Sequence, residues 1–157
     1  NSRQTTPDAG SSDYVVTRYY RAPEILLQKS LYDAAVDIWA AGCIIYEVAM
    51  SAAWFQGNDS RDQLVKIFNT LGAPTQESPL RQLPLWNLWK FDRLSFTRVD
   101  PLFRTTLSDR INREMGNLVT GLVQLDPTRR VSARMALECL SMQSATARRR
   151  IERPLSV

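Results

Sequence analysis

Arginines and carboxylates in marked positions are the side chains to weigh first for chemistry, and histidine is absent from all 157 positions. That absence excludes Ser-His and Cys-His mechanisms within the chain, and the usual histidine-bearing zinc sites. Arg18 and Arg21 flank Tyr19 and Tyr20, where they could be solvated or rest on aromatic faces. Glu24 and Arg130 lie far apart in sequence, and either would be costly to bury alone. Asp37 stands on an otherwise apolar run. Cys43 and Cys139 sit in apolar helical contexts with no metal-ligand spacing, and read as two buried thiols in a reducing compartment. The net charge of +4 is mild. Much of it falls in the tail Arg148, Arg149, Arg150 and Arg153, too locally to argue for nucleic acid.

Helices must position these groups. Between Ala34 and Met50 only Asp37 and Glu47 are charged. At about 100° per residue they lie about 80° apart, leaving about three quarters of the helical wheel apolar. Such a helix belongs in a core with other chain packed around it; it is too short and too charged for a membrane span. Asp33 supplies its N-cap, and Asp37 falls near the end of the first turn. Residues 1–12 read as a polar loop and 13–21 as extended. Pro23 then opens a short helix through Leu27. Asp59 or Ser60 caps a helix to about Leu71, with Leu64, Ile67, Phe68 and Leu71 on one face and Gly72 as its stop.

From residue 73 to about 107 no period is sustained. The stretch reads as a long loop packed by Trp86, Trp89, Phe91, Phe96 and Phe103, either a surface-binding or a family-specific insert. Ser108 caps a helix to about Leu125, Asp126-Pro127-Thr128 is a turn, and Ser132 caps a last helix to about Ser141. The expected fold is mainly α, one domain in length, with no sheet of its own. No apolar segment follows a basic start, so neither a secretory signal nor a membrane anchor is expected.

Three segments carry a family resemblance. YVVTRYYRAPEILL, residues 14–27, resembles the end of the activation segment of MAP kinases and cyclin-dependent kinases, with Ala22-Pro23-Glu24 matching its closing motif. VDIWAAGCIIYE, residues 36–47, resembles the central helix of the large kinase lobe. LDPTRR with the alanine-rich helix after it, residues 125–137, is the third match. In family order and at family spacing, they cover the chain from about residue 12 to residue 140.

The resemblance implies the C-terminal, large lobe of a protein-kinase-like fold, truncated at the activation segment. Residues 1–21 would be the end of that segment, 22–141 the helical lobe, and 142–157 a basic tail. It implies a buried ion pair between Glu24 and Arg130, where the residues alone leave two unrelated surface charges open. It implies that Arg18 and Arg21 clamp a phosphate on Tyr14. Ser12-Asp13-Tyr14 matches the dual phosphorylation motif, with serine where threonine is usual. Thr17 corresponds to the threonine that hydrogen-bonds the catalytic loop in Ser/Thr-directed kinases. Asp37 corresponds to the aspartate that holds that loop's backbone; with no such loop in the sequence, Asp37 is expected to lack that partner and part of its helix to lie bare or be covered by something else. The loop from Val16 to Tyr20 implies a preference for proline after the phosphoacceptor.

Other motifs of the family are missing. The sequence has no G-x-G-x-x-G loop, no VAIK-type lysine, no HRD-x-x-x-x-N and no DFG; these supply the phosphate cover, the lysine clamp, the base and the magnesium ligands. ATP and Mg2+ are therefore expected of the intact parent and not of these residues, which alone are expected to be inactive. The usual His-Pro near the last helix is replaced by Cys139-Leu140. The expected parent is an intracellular proline-directed Ser/Thr protein kinase, cytoplasmic or nuclear. Its partners would be protein substrates, an upstream activating kinase and a regulatory subunit, without nucleic acid or membrane. The alternative is a kinase-like module acting by docking without catalysis. The tail supports it, since a basic cluster followed by Leu155 and Val157 is similar to MAP kinase docking peptides, although a solvated tail reads as well. A third reading is a chain too exposed in its apolar surface to fold stably alone.

Overall fold

The computed structural model describes residues 18–30, 33–96 and 113–141. Among them the structure is helical and no strand occurs. Helix α1, Pro23–Leu26, begins with proline at a first-turn position, where the missing N–H leaves no bond unmade. Helix α2, Ala35–Met50, is the long central element. Its start is fixed by Asp33, whose carboxylate accepts from the Ala35 N–H at 2.8 Å. It stops at Ser51, a left-handed residue at φ 57°.

Helix α3, Ser60–Leu71, is capped by Asp59, which accepts from the Asp62 N–H at 2.8 Å. Asp62 reaches back past the cap to accept from the Asn58 N–H at 2.8 Å, which fixes the entry of the loop into the helix. Gly72, at a positive φ of 89°, ends the helix as the sequence requires. Leu64, Ile67 and Phe68 are fully buried beneath it.

The stretch after Gly72 is more ordered than a loop. Pro79–Gln82 forms a 3-10 turn, Pro84–Leu88 a short helix α4, and Phe91–Arg93 a second 3-10 turn. Proline starts the first two, and Ser78 accepts from the Leu80 N–H at 3.4 Å. Elements this short complete too few turns to leave a period in the sequence. Their aromatics do pack inward: Phe68, Trp86 and Phe91 meet with ring centroids 5.2–5.7 Å apart. Arg81 lies over the Trp86 ring at 4.9 Å and donates to the Pro74 carbonyl and to Asp92. Phe103 and Ser108 lie outside the described residues.

Helix α5, Arg113–Leu122, packs its Leu118, Val119 and Leu122 face on α2. It ends three residues before the expected Leu125. Asp126 then opens the turn Pro127–Arg129 by accepting from Thr128. A last helix, α6, covers 133–141, with Ser132 Oγ accepting from the Met135 N–H at 3.3 Å.

One expectation needs correction, and of the two stated for the central helix it is the bare face that is found. The thiols are not both buried: Cys43 is, but Cys139 is exposed on α6, where Met135 and Leu137 are exposed as well. The central helix is not surrounded. Trp39, Gly42 and Cys43 face the core, whereas Ile44 is 51% and Val48 78% exposed. Asp37 is exposed too. Positions 37, 44 and 48 fall on one side of the helix, with half-buried Ala41 between them, so the bare residues form a single stripe along α2.

Candidate functional site

The site is built where the segment 18–24 meets the helical body. Glu24 and Arg130 meet there. Arg130 donates through both terminal nitrogens to the two Glu24 oxygens, at 2.6 and 2.7 Å. The same guanidinium donates to the Ala35 carbonyl at 2.8 Å and, through Nε, to the Gln124 carbonyl at 2.9 Å. It also lies 5.1 Å over the Trp39 ring. Both side chains are at most 2% exposed. A buried charge pair persists only if its remaining donors and acceptors are satisfied, and Arg130 satisfies its own from the end of α5 and the start of α2.

The second contact is Tyr20. Its hydroxyl donates to Glu47 on α2 at 2.6 Å. That hydrogen bond, then burial and the nearby Glu47 charge, push the phenol up to about 12. Cys43, one turn before Glu47, is pushed up to about 12, chiefly by burial. It is an inert thiol at neutral pH.

The third contact joins residues 18–20 to the loop before α3. Arg18 is buried and donates to the Asn58 carbonyl at 2.8 Å. Gln63, fully buried, donates to the Tyr19 carbonyl at 3.2 Å and accepts from the Gly57 N–H at 2.7 Å. Gly57 has no room for a side chain, since a Cβ there would lie 2.4 Å from the Gln63 Cα. The preceding loop residues Trp54 and Phe55 stack on Tyr46 and Trp39 of α2. Asp62 is held below the usual carboxylate range, first by the hydrogen bond from the Asn58 backbone.

The sequence-expected residues are thus distributed as follows. Glu24 and Arg130 are brought together, and Arg18 lies buried against the 57–58 loop. Arg21 is half-buried beside it in sequence, and Asp37 stands exposed on the bare stripe of α2. Among the described residues Asp37 holds no side-chain hydrogen bond or ion pair. Ser12, Tyr14 and Thr17 lie outside the described residues, as does the tail with Leu155 and Val157. Sequence reasoning missed Tyr20, Glu47, Gln63 and Gly57. A glutamine in a first helical turn reads as a solvated residue, and a tyrosine three residues before a proline carries no signal of its partner.

The phosphate-covering loop, lysine, base and magnesium-binding motifs are missing from the sequence. Among the described residues no group of three or more His, Cys, Asp or Glu side chains could hold a metal ion. What the arrangement can do is hold a segment, by three independent clamps, on a helical body.

Comparison with known proteins agrees with this geometry. The model of the protein kinase domain family matches residues 1–140. The chain belongs to the protein kinase family, with the kinase-like helical fold. Among curated proteins it is 34% identical over 145 residues to cyclin-dependent kinase F-4 of Oryza sativa subsp. japonica, covering 92% of this chain and 31% of that protein. It is 35% identical over 140 residues to mitogen-activated protein kinase 12 of Danio rerio, covering 87% of this chain and 36% of that one. A solved MAP kinase from Leishmania major superposes with a TM-score of 0.74 at 28% identity, covering 83% of this chain and 42% of that structure. The chain therefore spans about a third of the length of these curated relatives. Its kin are kinases of the cyclin-dependent and MAP kinase branch. No described helix is long and apolar enough to cross a membrane.

Proposed function

We propose that this chain is the large-lobe portion of a proline-directed Ser/Thr protein kinase, which transfers the γ-phosphoryl of ATP to Ser or Thr followed by proline. The carrying observation is the bidentate Glu24–Arg130 pair, which fastens the segment after residue 17 to the helical lobe. Tyr20 on Glu47 and Arg18 on Asn58 hold the same segment. The role of these residues is to hold the platform on which a protein substrate lies, with Thr17 supporting the catalytic loop of the intact parent. Phosphate on Tyr14, and on Ser12, would be received by Arg18 and Arg21. Residues 1–21 act as the end of the activation segment, 22–141 as the lobe, and 142–157 as a basic tail. The 157 residues alone bind no nucleotide; ATP and Mg2+ act in the intact parent. The partners are protein substrates, an activating kinase and a regulatory subunit, in the cytoplasm or nucleus.

The experiment is phosphoryl transfer by the full-length protein from labelled ATP to a mixed protein substrate, followed by phosphoamino-acid analysis. Phosphoserine and phosphothreonine are expected. Phosphotyrosine alone, or no transfer after activation, overturns the proposal.

A second reading, docking without catalysis, draws on the exposed Ile44 and Val48 on the central helix. Bare apolar surface of this kind is also what a partner would cover. Under that reading the full-length protein retains kinases or phosphatases but transfers no phosphate.

A further inference from the structure

We infer that Gln63 is a positioning residue for the substrate-facing segment: its buried carboxamide ties the backbone of Tyr19 to that of Gly57, and so sets how residues 18–20 are presented to a protein substrate. This rests on the kinase reading above.

The side-chain chemistry is specific. A primary amide offers a donor and an acceptor at one end, and both are used in opposite directions: Nε2 donates to the Tyr19 carbonyl at 3.2 Å, and Oε1 accepts from the Gly57 N–H at 2.7 Å. The residue is fully buried, so water cannot replace either bond. A carboxylate would present only acceptors, and would set one against the Tyr19 carbonyl. A thioether would leave both backbone groups unpaired.

The frame around Gln63 is stiff. Its helix is capped by Asp59, which accepts from the Asp62 N–H, while Asp62 accepts from the Asn58 N–H. Gly57 lies against the Gln63 backbone so closely that a Cβ would be 2.4 Å from Cα and 2.5 Å from N. Arg18 grips the same loop from the other side, donating to Asn58 at 2.8 Å. Residues 18–20 and 57–58 therefore hold each other by bonds running both ways. The carboxamide is the only described link whose removal frees the Tyr19 carbonyl while leaving the Arg18, Tyr20 and Glu24 contacts in place.

The test uses the full-length protein with Gln63→Met, which removes both bonds, and Gln63→Glu, which keeps the Gly57 bond and loses the one to Tyr19. Two measurements are made on each: amide hydrogen exchange, and steady-state kinetics with a Ser-Pro peptide and ATP. In Gln63→Met, exchange of the Gly57 amide, whose N–H loses its acceptor, should rise about tenfold, the factor set by a lost buried hydrogen bond, and exchange at residues 19–21 should rise with it as the freed Tyr19 carbonyl loosens that segment. The peptide KM should rise by about the same factor, with ATP KM and kcat within about twofold. Gln63→Glu should show the same split, at smaller size. Exchange confined to wild-type values at residues 19–21, or a rise spread evenly over the domain, overturns the inference. So does an equal change in peptide and ATP KM. Wild-type protein that phosphorylates no peptide defeats the kinase reading, and the exchange measurement still decides the role of Gln63.

Discussion

Arg130 reaches across 106 residues of sequence to donate two parallel hydrogen bonds to Glu24, at 2.6 and 2.7 Å. Both charges are shielded from water, so neither can be lost without stranding the other. Glu24→Gln or Arg130→Met in the full-length protein should lower stability by about 3–5 kcal/mol, the size found when one partner of a buried pair is removed. Urea denaturation checks it. A change under about 1 kcal/mol would mean that the pair is solvated.

Tyr20 gives a pH signature. Its phenol is raised from 10.0 to about 12 by the bond to Glu47, so the folded state favours the neutral hydroxyl. The stabilisation is therefore complete below the unfolded value near 10, and is lost as pH rises toward 12. The stability difference between wild type and Tyr20→Phe should be constant below pH 10 and shrink between about pH 10 and 12. Thermal melts across that range check it, and a difference that grows with pH would contradict it.

Gly42 on the central helix is a second point of stress. Alanine in a helix normally gains about 1 kcal/mol over glycine. Here a Cβ would lie 2.6 Å from Val123 Cγ1 and 3.0 Å from Leu122 Cβ. Overpacking costs about 1–3 kcal/mol, so the steric effect should win. Gly42→Ala should destabilise, by about 1 kcal/mol net, as read by denaturant titration. Stabilisation would show that α5 can move away freely.

The two thiols should differ in reactivity. Cys139 is exposed, and Cys43 is buried with its thiol pushed up to about 12. Iodoacetamide at neutral pH should label one cysteine in the folded protein, Cys139, and both after denaturation. Mass spectrometry reads the result directly; labelling of Cys43 in the native state would contradict its burial.

Much of this was legible in the residues. Helix α3 begins after Asp59 and stops at Gly72, because a capping carboxylate and a glycine at positive φ mark its ends locally. The central helix was legible as an element but not in its orientation. A wheel apolar on nearly every side has no phase, so nothing in it said that Trp39 would turn inward and Val48 outward. The short helix at Pro84–Leu88 and its flanking 3-10 turns were hidden for a related reason, being too brief to repeat. Within the site, the Glu24–Arg130 pair was within reach through family resemblance. The Tyr20–Glu47 and Gln63 contacts were not, because partners 27 and 44 residues apart leave no local pattern.

On the proposed function, residues 18–24, clamped on this lobe, serve a kinase that selects proline after its phosphoacceptor. The most direct measurement is the kcat/KM of the activated full-length protein on two peptides differing only in Ser-Pro against Ser-Ala. A preference for Ser-Pro of at least about tenfold is expected, a difference of about 1.4 kcal/mol in transition-state binding. Equal rates on the two peptides would contradict it.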